Sequence, residues 1–289
     1  MGLSRRQFLL STTVLGAAAA TGCTTAITGS AQPNPADLRR LKDDAIPDEV
    51  TVGIIAYRPY TIEEGELTGP VPEIARAVLA ELGTTPKFEL MRDEQKLLVG
   101  IKAQQFDMVA GLTMRSDLCG DVVYSMADHV SGTALAVPPG NPKGLKTYAD
   151  VISSGAKLAV FTGFPEDTDA SAAGVASQNV VRMVFSDPFE FVAKIEGGAA
   201  DCFAYDDISL RDMVKESGAA LDVAPPFRPE NRVPFIGAYA FPRESPIVEP
   251  FNEALRALHK SGDWKRIVEP FGFLDENEAT DDLSAVCGE

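Results

Sequence analysis

The sequence predicts an α/β protein of two similar lobes joined by two crossings of the chain. A strand–loop–helix unit at residues 50–83 opens the folded part. A plan of helix, tight turn, aspartate and apolar strand then occurs twice, at 94–111 and 189–205, which favours two lobes of one design. Two apolar strands, at 132–137 and 236–241, border proline residues, which interrupt regular structure. We therefore expect the chain to leave the first lobe after one of these strands and to return at the other.

The composition favours a globular protein and excludes some classes of partner. The chain has 289 residues, a formal net charge of −16 and 45% hydrophobic residues, enough for a well-buried core in one or two domains. Such acidity argues against nucleic acid, because no basic face is available to displace counterions. The two histidines and four cysteines lack the spacing typical of metal ligands, so we expect no metal site and no cofactor.

The first 22 residues indicate an export signal. Residues 4–9, SRRQFL, form a twin-arginine pattern, and the apolar run that follows is too short for a membrane span. Residues 20–23, ATGC, resemble a bacterial lipobox, which makes Cys23 the expected lipidated residue. The alternative is an ordinary signal peptide with an incidental cysteine. The polar, proline-containing stretch 23–47 predicts a flexible tether. We expect an exported protein, held by its lipid at the outer face of the cytoplasmic membrane.

The unit at 50–83 predicts where a ligand would bind. Alternating β-branched residues at 50–54 predict a strand, and apolar residues spaced i, i+3, i+4 predict a half-buried helix from Pro70. The loop between them carries Tyr57 and Tyr60. In a parallel α/β sheet, such a loop leaves the carboxyl end of a strand and faces the ligand crevice. We therefore place both tyrosines at the mouth of a site, with ordinary packing of loop aromatics as the alternative.

The rest of the chain continues with alternating strands and helices. Short strands are predicted at 157–160 and 221–223, and apolar spacing predicts a long helix at 247–259. Trp264 belongs to a last amphipathic turn. The acidic tail from Asp275 is expected to be loose.

The order of these segments resembles family 3 of the extracellular solute-binding proteins of bacterial ABC importers. The matching pieces are VTVGIIAYRPY, LTGPVPEIARAVLAELG, LLVGIKAQQFDMVAGLTMRSD, the Tyr124-Ser125 pair and EALRALHKSGDWKRIVEPFGF. A narrower similarity, to ectoine/hydroxyectoine-binding proteins, rests on PEIARAVL, on GTALAV with GNPKGL, and on IVEPFGF. The resemblance implies a type II periplasmic-binding-protein-like fold, whose two lobes close over one small solute. Lobe 1 would comprise 48–136 with 238–289, and lobe 2 would comprise 137–237.

The resemblance also implies ligand-binding positions, several of which depart from the family's pattern. Leu118 stands where amino-acid binders carry an arginine for the ligand carboxylate. Arg115, one turn earlier, either replaces that arginine or begins a helix in solvent. Phe164 stands where Thr or Ser usually approaches the carboxylate. Tyr57 stands where the ectoine type has an acid, and Thr113 where it has an aromatic residue.

Other positions keep the family's aromatic and acidic character. Tyr60 remains aromatic, and Asp206 matches the acid that amino-acid binders offer to the ligand's amino group, with a helix cap as its alternative role. Thr162 is a candidate hydrogen-bond donor at a strand end. Glu73 is expected in the first turn of a helix, where an acid is favoured, with ligand contact as its alternative role. Because aromatic faces attract cations, we expect a small cationic or zwitterionic organic solute, with ectoine as one candidate.

The cysteines and histidines complete the expectations. An exported protein can form disulfides, and the ectoine type is similar in having cysteines where Cys119 and Cys287 stand, which implies that these two pair. Cys202 lies in an apolar strand and is expected to be a free, buried thiol. His129 and His259 show no partner pattern, so structural or surface roles are expected.

The resemblance implies a monomeric, non-enzymatic receptor that delivers its solute to ABC permease subunits. Two alternatives stay open. One is a periplasmic dehydratase similar to cyclohexadienyl dehydratase on the same fold, for which Glu73 and Asp206 are the available acid–base groups. The other is a subunit that reports its ligand to a receptor.

Overall fold

The computed structural model describes residues 46–230, 232, 235–279 and 286–287. Within them, strands β1–β13 run over Glu49–Ile55, Ile62–Glu64, Glu66–Thr68, Thr85–Met91, Met108–Thr113, Val122–Tyr124, His129–Ser131, Thr133–Val137, Leu158–Phe161, Val180–Met183, Cys202–Asp206, Asp222–Val223 and Phe235–Pro242. Helices α1–α8 run over Pro70–Glu81, Glu94–Lys102, Tyr148–Ser154, Pro165–Ala172, Glu190–Glu196, Asp207–Ser217, Val248–Ser261 and Asp263–Val268. No helix of the described residues is long and apolar enough to cross a bilayer. The predicted signal segment 1–22, Cys23 and the tether up to residue 45 lie outside the described residues.

Two larger sheets, built on one plan, organise the fold. The first has the order β4-β1-β5-β13-β6, with β7 also paired to β13. The second has the order β10-β9-β11-β8-β12. In each, three strands run parallel and the next runs antiparallel, as β13 does beside β5 and β8 does beside β11. The α/β class predicted from the sequence is therefore confirmed.

Both sheets are buried on both faces, which explains the continuous apolar runs of their central strands. In β9, Ala159 and Phe161 face one cluster of buried side chains, whereas Leu158 and Val160 face another. In the first sheet, α1, α7 and α8 cover one face, and α2 packs on the other. In such a sheet, the loops that leave the carboxyl ends of the parallel strands can form a site.

The chain passes between the sheets at Gly132, before the strand that was predicted to precede the crossing. β7 ends in the first sheet, and β8 begins one residue after Gly132 in the second. The prediction that the chain crosses at the proline cluster 138–142 is therefore wrong. Residues 133–136 belong to the second sheet. The prolines only end β8. A Cβ at Gly132 would lie 2.9 Å from the Phe227 carbonyl oxygen, because the outgoing and returning segments run side by side there.

The opening unit forms as predicted, and the packed fold begins slightly earlier than expected. β1 buries alternate side chains, β2 and β3 form a hairpin around Gly65, and α1 starts at Pro70. Ile46 is buried in the same core as α1. Thr84 donates a hydrogen bond to the Pro47 carbonyl over 2.6 Å. The last two residues of the predicted tether are therefore part of the lobe.

The start of the C-terminal tail is packed instead of loose. Asn277 is buried, and its Nδ2 donates to the Val130 carbonyl and to Asp207 Oδ2, both over 3.0 Å. Arg211 donates to Asn277 Oδ1 over 2.9 Å. Because Val130 lies in the first sheet and the other two residues lie on α6, this amide joins the tail to both lobes.

The cysteines occupy the positions that the resemblance implies. Cys119 and Cys287 form a disulfide with an S–S distance of 2.01 Å, which attaches the far end of the tail to the first lobe. Cys202 is a free cysteine in β11, and burial raises the pKa of its thiol to about 12. It is therefore expected to be unreactive.

Candidate functional site

A cavity of about 530 Å³ lies at the carboxyl ends of the first sheet's parallel strands. Its walls come from the loop after β1, the end of β5 and the loop after it, the segment around β7, and β13. Asp206, at the carboxyl end of β11, contributes from the second sheet. The volume falls within the range of small-molecule sites, about 300–1,000 Å³.

Five of the residues proposed from the sequence line this cavity, namely Tyr57, Tyr60, Thr113, Arg115 and Asp206. They come from the loop after β1, the end of β5 with the loop after it, and the end of β11. The parallel topology brings them together as expected. Tyr57 is 45% exposed, which places it at the mouth.

The structure does not place Glu73, Thr162 or Phe164 in the cavity wall. Glu73 lies on α1 and forms an ion pair with Arg76, one turn further along, at 2.6 Å. Thr162 is exposed. Phe164 packs against the aromatic residues of lobe 2, with its ring centroid 5.8 Å from that of Tyr205. The ring of Phe164 packs against neighbours in lobe 2 and therefore points into its own lobe. The carboxylate of Glu73 instead pairs with the opposite charge of Arg76.

Two tyrosines connect the lobes across the cleft. The hydroxyl of Tyr57 lies 2.9 Å from the hydroxyl of Tyr205. The Tyr60 hydroxyl donates to Asp206 Oδ2 over 3.0 Å. Burial and the charge of Asp206 raise the pKa of Tyr60 well above its usual range, so this hydroxyl stays protonated and continues to donate.

Asp206 fulfils both roles that the sequence left open. Its carboxylate accepts a hydrogen bond from the Ser209 backbone N–H over 2.9 Å and so caps α6. The same carboxylate lines the cavity and accepts a hydrogen bond from the Tyr60 hydroxyl. Since a carboxylate has about four acceptor positions, it can still accept hydrogen bonds from a ligand.

Arg115 lines the cavity, but its charge is already engaged. Its Nη1 lies 2.9 Å from Glu94 Oε1, and its Nε lies 3.3 Å from Asp117 Oδ1. Glu94 also lines the cavity. A ligand carboxylate would have to compete with these two acids for the guanidinium, so the arrangement weakens carboxylate binding at this position.

Sequence reasoning missed His129, which the structure places in the cavity wall with only 7% exposure. Its ring stacks on Tyr60 at 5.2 Å between centroids, and Tyr60 stacks on Tyr57 at 5.9 Å. The only local signal is its adjacency to Asp128, whose Oδ2 lies 3.0 Å from His129 Nδ1.

The cavity therefore combines a row of stacked aromatic rings with carboxylates, an arrangement suited to binding positive charge. Within the described ranges, no group of three or more His, Cys, Asp or Glu side chains is placed to hold a metal ion.

Comparison with known proteins identifies a family and a curated relative. Residues 50–274 match the model of the bacterial extracellular solute-binding proteins, family 3. A probable amino-acid ABC transporter periplasmic-binding protein of Sinorhizobium fredii is 30% identical over 240 residues, which is 80% of this chain and 79% of that protein.

Two solved structures extend the comparison. EhuB in complex with hydroxyectoine is 26% identical with a TM-score of 0.55, over 83% of this chain and 93% of that one. The unliganded, open L-cystine solute receptor of Neisseria gonorrhoeae has a TM-score of 0.67 at 24% identity, over 83% and 96% of the two chains. At that identity the second likeness concerns the fold alone.

Proposed function

The chain belongs to the bacterial extracellular solute-binding proteins of family 3, and from this premise we propose that it captures a small cationic or zwitterionic organic solute for an ABC importer. The fold is the two-lobed type II periplasmic-binding-protein fold. Solute would bind between the lobes and shift their open–closed equilibrium toward the closed form, by the difference in its affinity for the two forms. The permease would then receive the solute from the closed receptor.

One observation carries the choice of solute: the cavity offers a carboxylate and tyrosine rings, while its arginine is paired with two acids. A cation over an aromatic face gains roughly 0.5–2 kcal/mol, depending on desolvation. Asp206 supplies the opposite charge. The relatives support the same class, since one is named for amino-acid transport and the other was solved with hydroxyectoine.

A thermal-shift screen of amino acids, betaines, ectoines, polyamines and sugars tests the proposal. A solute at about a hundred times its dissociation constant should add roughly 2.7 kcal/mol to the stability. Calorimetric titration then measures the affinity of each positive solute. Tight binding restricted to anionic compounds or neutral sugars would refute the proposed class.

Two tyrosine variants locate the binding site. Tyr60→Phe keeps the ring and removes the hydroxyl that donates to Asp206, so it should change the affinity for the solute. Tyr148→Phe removes a buried hydroxyl in lobe 2 that donates to the Glu166 carbonyl, so it serves as the matched control. Equal affinities of both variants and the wild type would place binding elsewhere.

The export route and the anchor belong to the same proposal. We propose a monomer that is exported through the twin-arginine pathway and anchored by a lipid on Cys23. Cys23→Ser should release the protein from the membrane fraction, and intact-mass analysis of the wild type should find the acyl mass on the residue 23 peptide. Recovery of wild type and variant in the same soluble fraction would contradict the anchor.

The dehydratase remains a second candidate because the cavity contains a carboxylate beside protonated hydroxyls, groups that can transfer protons. Incubation with prephenate or arogenate distinguishes the two functions. Product formation that is lost in Asp206→Asn would favour the enzyme, whereas binding without turnover would favour the receptor.

A further inference from the structure

His129 is held in a single orientation by a chain of buried hydrogen bonds. Its Nδ1 lies 3.0 Å from Asp128 Oδ2, and Trp264 Nε1 donates to Asp128 Oδ1 over 3.0 Å. Asp128 is 1% exposed. Because the indole can only donate and the carboxylate accepts from both sides, the neutral imidazole carries its proton on Nδ1. Its Nε2 is then a hydrogen-bond acceptor.

The environment of the ring leaves Nε2 available. Tyr60 stacks on one face at 5.2 Å between centroids, and the ring of Phe273 lies nearly perpendicular to the imidazole at 5.3 Å between centroids. Gly237 makes room for the ring, since a Cβ there would lie 2.0 Å from His129 Cε1 and 2.4 Å from Nε2. The residue lines the cavity, and within the described part of the chain Nε2 has no hydrogen-bond partner.

We propose that His129 is a specificity-determining residue that contacts the solute: its Nε2 accepts a hydrogen bond from an N–H of the solute. The inference rests on the proposed function, because it concerns the same cavity and the same class of solute. It adds a second acceptor beside Asp206. A solute with several N–H donors, such as a guanidinium or amidinium group, can satisfy both acceptors at once.

Calorimetric titration with L-arginine and with ectoine, both of which carry N–H donors, tests the proposal. His129→Phe keeps a ring at this position and removes the acceptor, so it should bind either probe about tenfold more weakly than the wild type does. His129→Gln offers a side-chain oxygen as acceptor, so it should retain more of the affinity than His129→Phe.

The chain supplies its own control in His259, the only other histidine. It stacks on Trp264 at 4.9 Å and does not line the cavity. His259→Phe should therefore keep the affinity of the wild type for both probes. Thermal unfolding verifies that each variant is folded. Nitrogen NMR of the wild-type imidazoles provides a readout that needs no substitution: added probe should shift the Nε2 signal of His129 and leave that of His259 unchanged.

The outcomes separate the two proposals. If the wild type binds a probe and His129→Phe binds it equally well, or if the Nε2 signal of His129 does not respond, the role of His129 is refuted while the receptor function stands. If the wild type binds neither probe nor any positive solute of the wider screen, the proposed solute class fails, and the role of His129 fails with it.

Discussion

Replacing Glu166 by glutamine should stabilise the protein above neutral pH and remove part of its pH dependence. Glu166 lies in the first turn of α4 and is 2% exposed. Its Oε1 has no hydrogen-bond partner in the described structure. Arg232 Nη1 lies 3.6 Å away but is held more closely by Asp169. Burial therefore dominates and raises the pKa of Glu166 from 4.5 to about 7.

The direction and size of the effect follow from proton linkage. The folded chain binds the Glu166 proton more tightly than the unfolded chain does, so the stability that this group contributes is present below about pH 4.5 and is lost as the pH rises to about 7. A change in pKa of this size corresponds to about 3 kcal/mol when the carboxylate is fully ionised. Glutamine has nearly the same shape and no charge. The variant should therefore equal the wild type near pH 4.5 and exceed it by up to about 3 kcal/mol near pH 8.

Urea unfolding of both proteins at several values between about pH 4.5 and pH 8 measures this difference. Glu196→Gln is the matched control, because Glu196 lies at the end of α5 in the same lobe with its side chain exposed. It should change the stability by less than about 0.5 kcal/mol at each pH. A loss of stability in Glu166→Gln near pH 8 would show that the ionised carboxylate forms a favourable pair with Arg232, and would refute the reasoning.

Two further variants test the cleft and the tail. Gly237→Ala should lower the free energy of unfolding by about 1–3 kcal/mol through overpacking, because its Cβ would lie 2.0 Å from the His129 ring. Gly120→Ala is the control and should be nearly neutral, because its Cβ would meet no atom within 4 Å. Equal losses of stability in urea unfolding would contradict this. Cys119→Ser combined with Cys287→Ser should cost about 2–5 kcal/mol, because the disulfide spans a sequence separation of 168. Thermal unfolding should then lose its sensitivity to a thiol reductant, and sensitivity that persists in the double variant would contradict the assignment.

The parts of the fold that the sequence predicted well are those with local signals. The helix from Pro70 could be recognised because proline at its start and the apolar spacing after it act within a few turns. The first crossing could not be located in this way. The prolines after β8 mark a strand end, but its sheet is decided by pairing with β11, where Thr133 lies opposite Asp206. That contact joins residues far apart in the sequence, and no local pattern encodes it.

The candidate site shows the same division at the level of side chains. Topology alone placed Tyr57 and Tyr60 at the cavity, because every loop at the carboxyl end of a strand faces it. Topology does not determine where a side chain on such a loop points. Phe164 also follows a strand end, yet its ring packs beside Tyr205 in lobe 2. The direction of the Phe164 side chain is determined by packing against residues in and around β11, which lie far from it in the sequence.

His129 illustrates why the base of the cleft could not be deduced from sequence. Its position depends on Tyr60 from one loop, Gly237 from β13 and Trp264 from α8, the last acting through Asp128. The arrangement also connects the lobes, because the tyrosine that stacks on His129 in the first lobe donates to Asp206 in the second. Under the proposed function, a positive solute would use the remaining acceptor positions of Asp206. It would therefore bind to the carboxylate that already joins the two lobes through Tyr60.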